Sequence, residues 1–534
     1  MARPVAARLS KRALLAASVF VLALPGLPRT AGATMRGASD ALFFATANNF
    51  QLVGHDPLGV PGVEDPTELV GRGMNAALAV HGDYAYVGSR TDGKPWGTEE
   101  NLNHSGIMIV DISTPSDPTV VGEIGPPDQG MTDQTSREMR VWPEQDLLIV
   151  QNLASNCSGI IHGCYTPGEA IAGTDMFAFY DISGENAADP QLVAEYDPPE
   201  NPHEFFLWDD PLTPGRAVLF ISGTSSGRLV AVDISGARNN EFKVLANTTR
   251  LVTTFTNPQG TTVPAGNPHS LSVSNDGTRA YVSHLTGGFF VADSSEIADG
   301  VEGARFRLIT PSNKRVAWEP LTPGAHSAVK VWGKNYALVT DEVYGEALQP
   351  PLFDQHGCPW GWVHMVNISD PKAPSVAAEF RLPQNMASFC DTDVPRPFTS
   401  ISAHNPTLTP NLAFITWHSG GLQALDLTDP AVPKSAGAFV PDPLPAVLQE
   451  DPVLSMGADK VVMWSYPVIK DGLIYVVDVR NGLYILRYTG PHADEVTDVG
   501  FLEGNSNLGD ALGYEPVDPC TRSNPPPPPE TICP

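Results

Sequence analysis

Residues 106–114 read GIMIVDIST: a glycine, a short apolar run, an aspartate, one more apolar residue and two hydroxyls. The run is too short for a helix and rich in β-branched residues, so it predicts a strand with a polar cap. The phrase returns as MFAFYDISG (176–184), GRLVAVDISG (227–236), GFFVADSSE (288–296), GWVHMVNISD (361–370), GLQALDLTD (421–429) and GLYILRYTG (482–490). Seven copies of one phrase predict seven copies of one structural unit.

The unit extends on both sides of the phrase. Most copies are followed by an Asp-Pro turn (Asp117-Pro118, Asp370-Pro371, Asp429-Pro430) and then a further strand such as TVVGEI (119–124) or QLVAEY (191–196). Before each copy lies a hairpin, as in SLSVSNDGTRAYVS (270–283) and YPVIKDGLIYVVD (466–478), where Asp276-Gly277 and Asp471-Gly472 supply the turn. Each unit therefore holds four strands in about 60 residues, and no helical period interrupts them. The fold class expected is all-β: a seven-bladed β-propeller of four-stranded antiparallel blades. Two segments compete to complete the last blade, NFQLVGHDPLG (49–59) and EVTDVGFLEG (495–504).

The phrase resembles the LVIVD-repeat family, and the likeness runs over roughly residues 45–490, loosest at 288–296 and 482–490. The resemblance implies secreted β-propeller proteins. It is silent on chemistry, because a structural strand defines it.

Three domains are expected: a signal peptide at 1–33, the propeller at 34–495 and a Pro-rich tail at 496–534. The first carries basic residues up to Arg12, an apolar stretch at 13–27 and small residues at 31–33. An uncleaved anchor is the alternative. The chain is thus expected to be secreted or held in the cell envelope outside the cytoplasm, with no membrane span once the signal is removed. Six cysteines suit an oxidising compartment. Proximity pairs Cys157 with Cys164, Cys358 with Cys390, and Cys520 with Cys533. A formal charge of −28 excludes nucleic acid as a partner and favours cations.

Chemistry enters with the histidines. Aligning the hairpins puts His203, His269, His326 and His404 at the start of the first strand in repeats three to six. First strands line the channel of a propeller, so four imidazoles should face one another at one mouth. Imidazole suits Fe, Cu, Zn and Ni, and a transition metal is the expected cofactor, Fe or Cu first, Zn or Mn second. Counting back around each hairpin places His284 opposite His269, Asp341 opposite His326 with Glu342 beside it, and Trp417 or His418 opposite His404. His284, His418 and Glu342 are the candidate catalytic or ligand-orienting residues. Arg90 and Arg137 are candidates for binding a small anionic substrate, with Glu138 adjoining.

Two functions fit: an O2-dependent metal-containing oxidoreductase, with metal-assisted hydrolysis as a variant, or a non-catalytic scaffold for protein or glycan partners in which the histidines are structural. The segments 90–103, 155–173 and 343–361 are long for hairpin connections and serve either. His55, His81, His104, His162, His356 and His492 read as solvated loop residues, and His364 as a packed one. Asp111, Asp181, Asp233, Asn367 and Asp426 read as groups that cap strand ends.

Overall fold

Strands with one apolar side per face must be covered twice, and a ring of blades does this by stacking each sheet on the next. The computed structural model describes residues 46–59, 71–89, 106–124, 134–154, 176–200, 202–223, 227–249, 251–252, 254–256, 262–264, 267–285, 287–318, 324–342, 361–390, 401–448, 460–498, 519–522, 524 and 533. It is a seven-bladed β-propeller of antiparallel blades, nearly all β. Blade 1 starts at Asn75–His81, and blades 2 to 5 start at Gln134–Trp142, Pro202–Asp209, Pro268–Val273 and Ala325–Lys330. Blades 6 and 7 start at Pro406–Leu408 and Val468–Lys470. Among the described residues seven hydrophobic clusters form the core, and each lies between two neighbouring blades.

The recurring phrase is the third strand of its blade. Its leading glycine is needed where the chain turns in: Gly288 and Gly482 sit at φ +77° and +98°. A Cβ there would lie 2.0 Å from the Val316 carbonyl oxygen or 2.2 Å from that of Asp56. The acidic cap closes a turn. Asp111, Asp233 and Asp426 each accept a hydrogen bond from the backbone N–H two residues on, at 2.9, 2.9 and 2.8 Å, and Asn367 does the same.

Ring closure falls to the N-terminal segment. Phe50–Asp56 pairs with Gly482–Tyr488 as the outer strand of blade 7, and Thr46–Asn48 adds a fifth strand to blade 6. The competing segment begins instead in a short helix, Ala493–Asp498, whose Glu495 binds Thr409 and Asn411. His55 is correspondingly no solvated loop residue: it lies in the closing strand, stacked on Tyr484, with Nε2 2.7 Å from the Asn481 carbonyl.

Cys520 and Cys533 form a disulfide. Beside it, Arg522 is buried, donating to Asp210 at 2.5 Å and to the Ala298 carbonyl at 2.6 Å. The tail is thus tied to blades 3 and 4. The signal segment, Cys157, Cys164, Cys358 and His104, His162 and His356 lie outside the described residues, as does the side chain of Cys390. Of the three long connections, only residue 361 is described. No helix among the described residues is long and apolar enough to cross a membrane.

Candidate metal centre

The histidines do not sit where simple counting puts them. In blades 2 to 5 the first strand carries one extra residue against the second: Arg137, His203, His269 and His326 each fall between two paired neighbours. Blade 6 repeats this, since Thr416 bonds the backbone of both His404 and Asn405. Blade 1 has its extra residue at Ala76 or Ala77. These are β-bulges, which bend the strand and re-aim the extra side chain. Hence His284 pairs with Pro268 rather than His269, Asp341 with Ala325 rather than His326, and Asn152 with Ser136 rather than Arg137.

Freed from the ladder, the bulged side chains meet around the channel. Ring centroids are 4.2 Å apart for His203–His269, 3.9 Å for His269–His326 and 4.3 Å for His326–His404, and Trp464 of blade 7 continues the arc 4.1 Å from His404. All four histidines are at most 4% exposed. The structure therefore brings together His203, His269, His326 and His404 as the sequence predicts.

Three of the rings are held by one nitrogen and present the other. The Nδ1 atoms of His269, His326 and His404 lie 3.2, 2.9 and 2.8 Å from the His326 carbonyl, the Ser327 hydroxyl and the Trp464 carbonyl. This is the way a ligating imidazole is fixed. Their Nε2 atoms face inward: His203 and His269 approach to 2.6 Å, while Nε2 of His326, His404 and His418 surround the Glu342 carboxylate at 3.2, 3.3 and 3.1 Å. Burial pushes His326 and His404 well below the usual imidazole range, helped by the neighbouring imidazoles, so both rings are neutral, as metal ligation requires. Burial alone would raise Glu342, but the imidazoles packed round its carboxylate, His418 Nε2 nearest at 3.1 Å, hold it low.

His418 adopts φ +40°, a costly backbone for a residue with a side chain. The surroundings enforce it, because its carbonyl accepts the N–H groups of Gly421 and Met463. His284 is placed differently. Its register position matches Asp341, so it faces into the blade, with Nδ1 3.1 Å from the Leu285 carbonyl and its ring against Phe290. The equivalent of Glu342 and His418 in blade 4 is Leu285. Arg90 lies outside the described residues, and of Arg137 only the backbone position is described.

Asp341 turns away from the channel. Its carboxylate accepts the Trp318 indole at 2.6 Å and His364 Nε2 at 2.7 Å, and His364 Nδ1 reaches Glu379 at 3.4 Å. Burial raises Asp341; burial alone would lower His364, but Asp341 raises it. His364, the packed residue of the sequence reading, thus lies between two carboxyl groups, and the Asp341 side favours its imidazolium form. With its folded pKa above the unfolded 6.5, its stabilisation is complete below pH 6.5 and lost as pH rises through the folded value. The His364 hydrogen bond holds Glu379 at about 2, so its contribution is present above 4.5 and lost on acidification. The unfolding free energy should therefore fall above pH 6.5, by at most about 1.4 kcal/mol per pH unit, and the melting temperature with it. A His364→Gln variant followed across the same range should lack that slope.

Glu204, Tyr466 and Arg140 are the site residues that the sequence reading missed. Glu204 follows the bulged His203, as Glu138 follows Arg137, and that shared Glu was the available signal. Glu204 Oε1 lies 3.6 Å from His269 Nδ1 and 3.8 Å from His326 Nε2. The Tyr466 hydroxyl donates to Glu204 Oε2 at 3.3 Å and touches Ser327, while Arg140 lies over the Tyr466 ring and pairs with Glu138 at 3.0 Å. Two groups in this cluster could hold a metal ion: Glu204, His269 and His326, and His326, Glu342 and His404.

Comparison with curated proteins finds no match. Among solved structures the chain is similar to Sqt1 of Chaetomium thermophilum, at 14% identity and TM-score 0.42, over 81% of this chain and 86% of that one. A second structure of that protein shows it bound to the N-terminus of a ribosomal protein. The β-propeller domain of Cps50 (Swd1) from Myceliophteria thermophila aligns at 10% identity and TM-score 0.41, over 78% of this chain and 96% of that one. Likenesses this distant say nothing of what the present chain binds or does. The LVIVD repeat model matches residues 72–93 and 102–124, the first blade. The chain thus carries repeats of the LVIVD family, and its fold is the β-propeller that repeats of this family form.

Proposed function

We propose that the chain is an extracytoplasmic metalloprotein whose channel-mouth cluster holds one transition-metal ion, Fe or Cu, and that it carries out an O2-dependent oxidation of a small molecule. The supporting observation is a charge imbalance. Among the described side chains, Glu138, Glu204 and Glu342 are buried with Arg140 as the one cation beside them, and the imidazoles of His326 and His404 are neutral. Among these described groups carboxylates outnumber guanidinium, and holding unpaired carboxylates out of water costs several kcal/mol for each ion. A bound metal cation would offset that cost.

The donor set favours iron. Each of the two groups is two imidazoles and one carboxylate, the set that non-haem Fe(II) oxygenases use with positions left open. Catalytic zinc sites use the same set, so a bound zinc would turn the reading towards metal-assisted hydrolysis. In this reading His418, with Nε2 3.1 Å from Glu342 Oε1, orients that carboxylate, and Arg137, next to His203 in the ring of bulges, takes an anionic group of the substrate. Arg90 shares that role.

The alternative, histidines as structural staples, also has an observation in its favour. His269 Nδ1 reaches a carbonyl of blade 5, and His404 Nδ1 one of blade 7, so each ties its blade to the next. Metal analysis separates the two. The metalloprotein should purify with, or take up, one Fe or Cu per chain, lose melting temperature on chelation, regain it on reloading, and consume O2 with its substrate. A chain that takes up no Fe, Cu, Zn or Mn, and whose melting none of them changes, would leave the staple.

A further inference from the structure

Resting on the reading that the cluster binds metal, we propose that it is two overlapping positions sharing His326, which hold one ion between them. The first position is His326, Glu342 and His404; the second is Glu204, His269 and His326. The geometry separates them. Ligands at about 2.1 Å from one ion lie at most about 4.2 Å from each other. The candidate atoms fall into two groups, each spanning no more than 4.8 Å, and not into one. A single ion does not reach all five without rearrangement.

His326 makes the positions exclusive. Its Nδ1 is engaged by the Ser327 hydroxyl at 2.9 Å. Its Nε2 alone faces both carboxylates, 3.2 Å from Glu342 Oε2 and 3.8 Å from Glu204 Oε1. One nitrogen lone pair serves one metal at a time, so two ions cannot be held together.

The first position is the better prepared. Both of its imidazoles have Nδ1 fixed by neighbouring groups, and His418 adds a third imidazole to its carboxylate. At the second, the Glu204 carboxylate is shared with the Tyr466 hydroxyl. Glu342 would therefore be the carboxylate of the resting position, with Glu204 a reserve carboxylate 3.8 Å from the same His326 nitrogen. With Glu342 displaced by an incoming ligand, His326 and Glu204 would still hold the ion, so the centre would open without losing its metal.

Cobalt(II) loading of the metal-free protein tests this, with stoichiometry by elemental analysis and position by the visible absorption of the bound ion. The wild type should take one Co(II) per chain. Glu342→Gln and His404→Gln should each keep one Co(II), bound at least ~10-fold more weakly and with a changed spectrum. Glu204→Gln and His269→Gln should leave spectrum and affinity close to the wild type. The Glu204→Gln/Glu342→Gln double variant should bind none. If Glu342→Gln fails to fold, which circular dichroism shows, His404→Gln asks the same question at a different ligand. Loss of cobalt from either single variant of the first position would overturn the second position and leave the metal reading standing. Two ions in the wild type would overturn exclusivity. No cobalt in the wild type would overturn the metal reading and the inference with it.

Discussion

Replacing His326 by alanine should empty the metal centre while leaving a folded propeller. His326 is the one ring common to both metal-binding groups, and its Nε2 faces Glu342 and Glu204 alike. Loss of a residue that merely orients a ligand typically weakens metal binding by ~10–100-fold. Loss of the shared ligand should exceed that, and elemental analysis should find no stoichiometric metal in the purified variant. The fold should survive, because the bulge takes His326 out of the ladder, where Ala325 and Ser327 carry the pairing. The linkage gives the stability readout: an ion present at about 1,000 times its Kd stabilises the native state by about 4 kcal/mol. Metal addition should therefore raise the melting temperature of the wild type and leave that of His326→Ala unchanged. Equal melting gains in both proteins would place the bound metal elsewhere.

The second large effect is expected at the seam of the ring. A chain starting at Pro57 lacks Phe50–Asp56 and leaves Gly482–Tyr488 as an open edge. It also loses the Phe50 ring, buried 5.2 Å from Tyr488 and 6.2 Å from Phe414. Removing one buried phenylalanine side chain commonly costs about 3–5 kcal/mol. Here a seven-residue strand goes with it, and an unpaired apolar edge invites aggregation. The truncated chain should lose its cooperative melting transition or precipitate, and a peptide spanning 46–57 should restore melting by strand addition. A truncated chain melting within a few degrees of the full one would show that the ring does not depend on this seam.

The fold was legible because each repeat announces its third strand, and blade stacking gives every copy the same burial. Legibility stopped at one-residue precision. Counting around the turns assumes an unbroken ladder, and the bulges at His203, His269 and His326 break it by one. That single step moved His284 into the blade and brought Glu342 and His418 to the site. Glu204 went unseen because its role depends on which way the residue after a bulge points. Tyr466 went unseen because it comes from blade 7 and meets Glu204 of blade 3 across the channel. The choice between Phe50–Asp56 and the 495–504 segment turned on pairing partners far apart in sequence, which local pattern does not encode.

The bulge separates two kinds of inheritance. The strand phrase must be kept for blades to stack, but the bulged residue is excused from the ladder and answers only to what lies in the channel. Six equivalent places, in blades 1 to 6, are therefore open to independent change: in this chain alanine, arginine and four histidines fill them, on one repeated scaffold. A relative could gain, lose or rotate a centre around the ring by single substitutions that leave every interblade cluster intact. Kinship in this architecture then predicts shape far better than it predicts chemistry, and the residues to compare between members are the bulged ones that the repeat pattern leaves out.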